Sequence, residues 1–251
     1  MERGVGMNSG MYSAVSGNIA AMQRMDVITN NLANVNTSGY KKDRMIFDTL
    51  LNNAKNPTLP DGSMTDNPVL TGYTIETDFS AGPQKQTGNP LDLSLDGDGF
   101  FVVNTPQGKA YTRQGNFHID AGGRMVTADG YELQGNGGPV TIKGGKINID
   151  AKGDVFVDGT QTGSIGVVDF PKPYQMQKIG SALFVPSGPE TAGQPAANTR
   201  IMQGAIEGSN VQPLQEMVTL IANTRFYEQC VKTIQSYDQM AAKAANDLGR
   251  V

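Results

Sequence analysis

One cysteine, one histidine and no tryptophan stand among 251 residues. A single Cys230 excludes an internal disulfide framework. In its helix-like setting it reads as a small apolar residue rather than a reactive thiol. His118 alone cannot build a histidine-rich metal site, and any Ser-His-Asp triad would have to use it. It lies in the strand-like stretch NFHID and reads as an ordinary surface or core histidine. The net charge is −4 with no long basic run, so no nucleic-acid footprint is expected. No apolar run has the length to cross a bilayer, and no membrane insertion is expected. The first residues, MERGVGMNSGMYSAVSG, lack a continuous apolar core, so no cleaved secretory signal is expected; Met7 is an alternative start. Neither a Walker-type phosphate loop nor a dinucleotide glycine fingerprint occurs, and no cofactor is expected.

What is present is glycine, 31 residues, with 13 prolines, which implies frequent turns and short elements. The two ends differ from the middle. Near the N-terminus Met11, Val15, Ile19, Met22, Met25, Ile28, Leu32 and Val35 recur at spacings of three or four, one helical stripe. Asn8 or Ser9 is expected to cap its start, and Gly39 to stop it. At the other end Val211 and Leu214 lead to Met217, Leu220, Ile221, Tyr227, Val231, Ile234, Ala241 and Leu248. Ser209 or Asn210 is the candidate cap, and Pro213 suits the first turn. At ~1.5 Å per residue this helix runs about 55 Å, a length that points to a coiled coil.

From about Thr71 to Ile206 the period becomes two. LDLSLDGDGFFVVN, KAYTRQGNFHID, RMVTADGYELQG, VTIKGGKINID, DVFVDG and SIGVVDF read as short alternating strands with Gly, Asp and Asn turns. The expected fold is α+β: long N- and C-terminal helices paired in a coiled-coil-like manner, with a central all-β domain inserted between them. The expected boundaries are 1–50 and 207–251 for a terminal helical assembly domain, 51–70 for a connector and 71–206 for a β-rich outer domain.

Between Asn8 and Gly39 only Arg24 and Asp26 are charged. A solvent-facing helix normally carries charges on its outer face. An uncharged polar face suits contacts on several sides, because amides reach neighbouring chains without the desolvation cost of ions. Asn30, Asn31, Asn34 and Asn36 therefore read either as inter-chain contacts or as residues that fray and cap a helix end. Lys41 and Lys42 read as a solvated turn. Asp92, Asp96 and Asp98 have the wrong spacing for a calcium loop and read as strand-end turn residues. A pair of carboxylates for sugar cleavage is conceivable, but nothing in the sequence places two together.

NNLANVNTSGYKKDRMIF resembles the N-terminal signature of the flagellar rod and hook family. GAIEGSNVQPLQEMVTLIANTRFYE resembles that family's C-terminal signature, its last element here reading Arg225-Phe226-Tyr227-Glu228. LDLSLDGDGFFVV and YTRQGNFHIDAGGRMVTADGYEL resemble the family's β domain, so the likeness spans nearly the whole chain. Within the family it is most similar to the proximal-rod type, with the distal-rod type as near competitor. The leader MERGVG departs from the family's expected start near Met7.

The resemblance implies a structural subunit that polymerises helically into a tube. That tube transmits torque from motor to hook and passes exported subunits. It implies partners in further copies of the chain, other axial proteins and the flagellar type III export apparatus. It implies a basal-body location in a periplasm-spanning rod, reached without a cleaved signal. Candidate assembly residues are Asn30, Asn31, Leu32, Asn34, Val35, Asn36, Thr37, Gly39 and Tyr40, with Asn30, Asn31, Asn34, Asn36 and Thr37 at a junction, and Ser209, Asn210 and Val211, which set the start of the second helix. Met217, Ile221, Arg225, Tyr227, Val231 and Ile234 follow along the second helix. No catalytic residue is expected. The rival classes are a β-domain enzyme acting on cell-wall polysaccharide, and a calcium-stabilised adhesin.

Overall fold

The computed structural model describes residues 5–47, 73–180, 182–188, 193–196 and 198–248. The expected connector at 51–70 lies outside the described residues. The chain divides into two compact units. One gathers residues from 1–32, 43–76 and 213–251; the other holds 33–42 and 77–212.

The first unit carries a helix at each end of the chain, α1 (Val5–Ala33) and α2 (Pro213–Leu248), with a two-stranded sheet of Asp43–Phe47 and Tyr73–Thr77. Pro213 opens α2, where its fixed φ suits the helix and its missing N–H costs nothing. The expected limits of α1 need correction. The helix begins at Val5, so Asn8 and Ser9 lie inside it, and it ends at Ala33, well before Gly39.

The expectation of paired, coiled-coil-like helices is also corrected. A knobs-into-holes seam needs large apolar side chains pointing at the partner helix. Instead Met11, Val15, Ile19 and Met22 are exposed, Met22 by 54%, as are Met217 and Ile221. Only the later part of the α1 stripe turns inward, with Ile28 buried. Where the two helices touch, α1 presents small residues, Gly10 and Gly17 facing Tyr237, Phe226 and Cys230 of α2. The Asn223 amide donates to the Ala21 carbonyl at 2.7 Å. A Cβ added at Gly17 would stand 3.4 Å from Cys230 Sγ. Cys230 itself is buried there, a small apolar residue as read from the sequence.

The second unit is β-rich. Its main sheet runs in the order 176–179, 183–186, 108–112, 100–105, 132–135, 125–126 and 118–119, with antiparallel neighbours. The strand Phe100–Thr105 is covered on both faces, which is why FFVV is a continuous apolar run rather than an alternation. On one face Phe101 and Val103 join Leu93, Leu133, Val155 and Ile201 in the larger core. On the other, Phe100 meets Phe170 and Phe184, with Phe79 and Tyr174 edge-on at 5.8 and 5.5 Å.

Two further strand pairs matter for the site. Arg200–Gln203 pairs with Leu93–Asp96, and Ala205–Glu207 pairs with Gln84–Gln86. Together they anchor the chain just ahead of α2 within the β unit.

Candidate assembly site

Three segments far apart in sequence meet within the β unit: 37–42, 78–82 and 205–211. Backbone bonds set the frame. Gly39 N donates to Glu207 O at 2.8 Å, Asp78 N to Lys42 O at 2.8 Å, Asn210 N to Tyr40 O at 3.3 Å and Gly208 N to Pro83 O at 2.8 Å. Gly39 is required by this frame. Its φ is +67°, and a Cβ there would stand 2.3 Å from the Arg113 carbonyl carbon.

Glu207 lies at the centre and is 1% exposed. Its Oε1 accepts from Lys41 Nζ at 2.6 Å and from Gly82 N at 2.9 Å. Its Oε2 accepts from Arg113 Nη1 at 3.2 Å. Lys41 Nζ also donates to Ser80 O at 2.7 Å, and Arg113 Nη2 to Gly97 O at 2.8 Å. One carboxylate is thus shared by two buried cations, each with a carbonyl partner, the arrangement that lets buried charge persist. Burial pulls the Lys41 ammonium below its ordinary value, opposed by the attraction of Glu207. Above this group, Lys178 Nζ donates to Lys41 O at 2.6 Å and sits 4.2 Å from the ring centre of the buried Tyr40.

Asn210 ties the same segments by a second route. Its Oδ1 accepts from Lys42 N at 2.7 Å, and its Nδ2 donates to Asp78 O at 2.7 Å. An amide carries both a donor and an acceptor, so it stands in for one residue of a β ladder. In the helical unit Asn31 does the same. Its Oδ1 accepts from Asp43 N at 3.0 Å and its Nδ2 donates to Asp43 O at 2.9 Å.

Residues 94–158 match the model of the flagellar hook protein FlgE/F/G D1 domain, 202–248 that of the flagellar basal body rod FlgEFG protein C-terminal, and 11–41 that of the flagella basal body rod protein. The chain is 35% identical to the flagellar basal-body rod protein FlgG of Bacillus subtilis, over 94% of this chain and 97% of that one. It is 32% identical to the rod protein FlgF of Caulobacter vibrioides, over 98% and 100%. It is 35% identical to FlgG of Borreliella burgdorferi, over 96% and 98%.

The chain belongs to the flagellar basal-body rod protein family. That family is structural, and the chain is not an enzyme.

The asparagine cluster of this rod protein divides by role. Asn31 is 2% exposed and bonded to residue 43. Asn34 closes the turn after α1, accepting from Thr37 N at 3.1 Å on its carbonyl and from Thr37 Oγ1 at 3.2 Å on its side chain. Asn30 and Asn36 are exposed, and Leu32 and Val35 half-buried. Ser209 and Val211 are buried, with Ser209 Oγ accepting from Val211 N at 3.2 Å. On α2, Met217, Ile221 and Arg225 face outward, while Tyr227, Val231 and Ile234 are half-buried.

Lys41 corrects the sequence reading. Instead of a solvated turn residue it is 1% exposed and ion-paired. Glu207 and Arg113 went unnoticed as functional candidates. The available signal was alternation: Ala205 and Glu207 share a strand face, so an acid stands in register with a buried alanine.

Asp98 and Asp169 help line a hollow of about 480 Å³. Both are committed elsewhere. Asp98 Oδ2 accepts from Lys172 Nζ at 2.7 Å, and Asp169 Oδ1 from Tyr174 Oη at 3.0 Å.

Proposed function

We propose that this chain is a structural subunit of the flagellar basal-body rod, of the proximal-rod type, that polymerises helically into a tube. The tube transmits torque toward the hook and passes exported subunits through its channel. The observation that carries this reading is the outward placement of large apolar side chains on both terminal helices. Met11, Ile19 and Met22 on α1, and Leu214, Met217, Val218, Ile221 and Phe226 on α2, are exposed. Such faces cost free energy in water at about 25 cal/mol per Å² and mark surfaces that a partner covers. Head-to-tail contacts that do not close into a ring yield an open helical filament.

The helical ends then serve as the assembly domain and the β-rich middle as the outer domain. Met217, Ile221 and Arg225 contact neighbouring subunits directly. Asn31, Asn34, Gly39, Tyr40, Ser209, Asn210 and Val211 shape the roots of the helices. The neighbours are further copies and other rod and hook axial proteins. The flagellar type III apparatus exports the chain without a cleaved signal.

The test is replacement of the cell's own copy by a tagged chain, followed by isolation of basal bodies. Wild-type chain is expected in the rod with motility restored. Ile19→Glu and Ile221→Glu are expected to leave the β unit folded and abolish incorporation. Recovery of either variant in rods at wild-type level defeats the proposed contact faces.

A further inference from the structure

Between α1 and α2, within the helical unit, lies a groove of about 390 Å³. Small residues line it, among them Gly17, Ala20 and Ala21 of α1 and Ala222 of α2. Phe226 and Arg24 also line it, and both are exposed. The same chain carries side chains of the size such a groove takes. Leu214, Met217, Val218 and Ile221 stand at i, i+3, i+4 and i+7 on α2, all exposed, Leu214 by 75%. That is the spacing by which one helix face enters an apolar groove. The stripe does not serve its own chain's groove, because Ala222 and Phe226 lie about a third of a turn round α2 from it.

Charge sets a direction for the contact. Arg24 and Glu228 are exposed, and neither forms an ion pair among the described residues. Glu228 continues the stripe seven residues beyond Ile221, and Arg24 lies seven residues beyond Gly17. Each offset is about 10 Å along a helix. With Ile221 of one copy seated over Gly17 of another, a helix running parallel to α1 therefore brings Glu228 to Arg24. The reverse direction carries Glu228 toward Gly10 instead.

We propose that this groove receives the exposed α2 stripe of a second copy of the chain, parallel to the α1 that lines it, with Glu228 of that copy paired to Arg24. The inference rests on the rod-subunit reading and names the contact that joins neighbouring copies. Groove and stripe are different surfaces, so a copy that fills one neighbour's groove keeps its own groove open for the next. Such a contact is heterologous and extends into an open helical filament. Burial of the stripe supplies the attraction, and the charge pair selects the direction.

Two differently tagged full-length chains in the same cells give the first test, one carrying Ala20→Cys and the other Arg225→Cys. In the proposed register these positions lie side by side. Oxidation of isolated basal bodies is expected to join the two tags by a disulfide. Leu214→Cys, about three turns from Arg225 on α2, is expected not to join Ala20→Cys. Assembled rods without the first cross-link overturn the contact, and a cross-link through Leu214→Cys overturns its direction. The second test is a charge swap. Arg24→Glu and Glu228→Arg are each expected to lower incorporation into rods by about threefold, and the double variant to restore it. Losses that accumulate in the double variant, or no loss in either single, overturn the pairing and leave the rod reading intact. Absence of wild-type chain from rods overturns the rod reading instead.

Discussion

Lys41 and Glu207 are 166 positions apart in the chain and 2.6 Å apart in the structure. Lys41 lies within the N-terminal signature, and Glu207 is the fourth residue of the C-terminal one. Removing one partner of a buried pair leaves an uncompensated charge, at a cost of about 3–5 kcal/mol. Glu207→Ala strands both Lys41 and Arg113 and is expected at the upper end of that range. Lys41→Met leaves Glu207 with Arg113 and should cost less. The Lys41→Met/Glu207→Ala double variant is expected to lose less than the sum of its singles. Urea denaturation of all four proteins checks this, and strict additivity would contradict direct coupling.

Gly39→Ala is expected to destabilise the β unit by more than about 2 kcal/mol. Two penalties combine. The positive φ is unfavourable for alanine, at about 1–2 kcal/mol, and the new Cβ meets the Arg113 backbone, which cannot swing aside. A shift of less than about 0.5 kcal/mol in denaturant unfolding would contradict the close approach.

Gly17 predicts a contrast between two substitutions. An added Cβ stands 3.4 Å from Cys230 Sγ, at the edge of ordinary contact. Gly17→Ala is therefore expected to be neutral or to stabilise α1 by up to about 1 kcal/mol through helix propensity. Gly17→Leu must drive its side chain into Cys230 and Phe226 and is expected to cost about 1–3 kcal/mol. Thermal melts followed by helical circular dichroism separate the two; equal melting of both variants would contradict the close packing.

Acid stability should depend on Asp98 and Asp120. The hydrogen bond from Lys172 holds Asp98 below the ordinary carboxylate value of 3.8. Backbone and side-chain bonds from Arg124 do the same for Asp120. Each pKa is lowered by folding, so the contribution is present above the ordinary value and is lost as pH falls through the folded one. Melting temperature is expected to drop below about pH 4, and Asp98→Asn and Asp120→Asn to flatten that drop. An unchanged slope in both variants would count against these bonds.

Much of the architecture was legible because it rests on local periodicity. Terminal helices, a strand-rich middle and Pro213 at a helix start all follow from spacing and backbone chemistry. The facing of α1 was not legible. Met11, Val15, Ile19 and Met22 form a clean helical stripe, yet the inward side is made of Gly17 and Ala21. An apolar stripe announces that something will be buried, but not whether the partner is the same chain. Lys41 was misread for a different reason. Its partner, Glu207, is brought to it only by tertiary folding, so a local reading sees a charged turn. Asn31 was singled out as a junction residue and Asn210 as a helix-start residue, but their backbone-mimicking bonds emerge only from three-dimensional pairing.

The most direct test is oxidative footprinting of methionines in the dilute protein and in isolated basal bodies. Met22 and Met217 are exposed by 54% and 44%, whereas Met125 is fully buried. Met22 and Met217 are expected to oxidise readily in dilute protein and to be protected in the rod, with Met125 protected in both. Equal reactivity of Met22 and Met217 in both states would contradict assembly through the outward faces of the terminal helices.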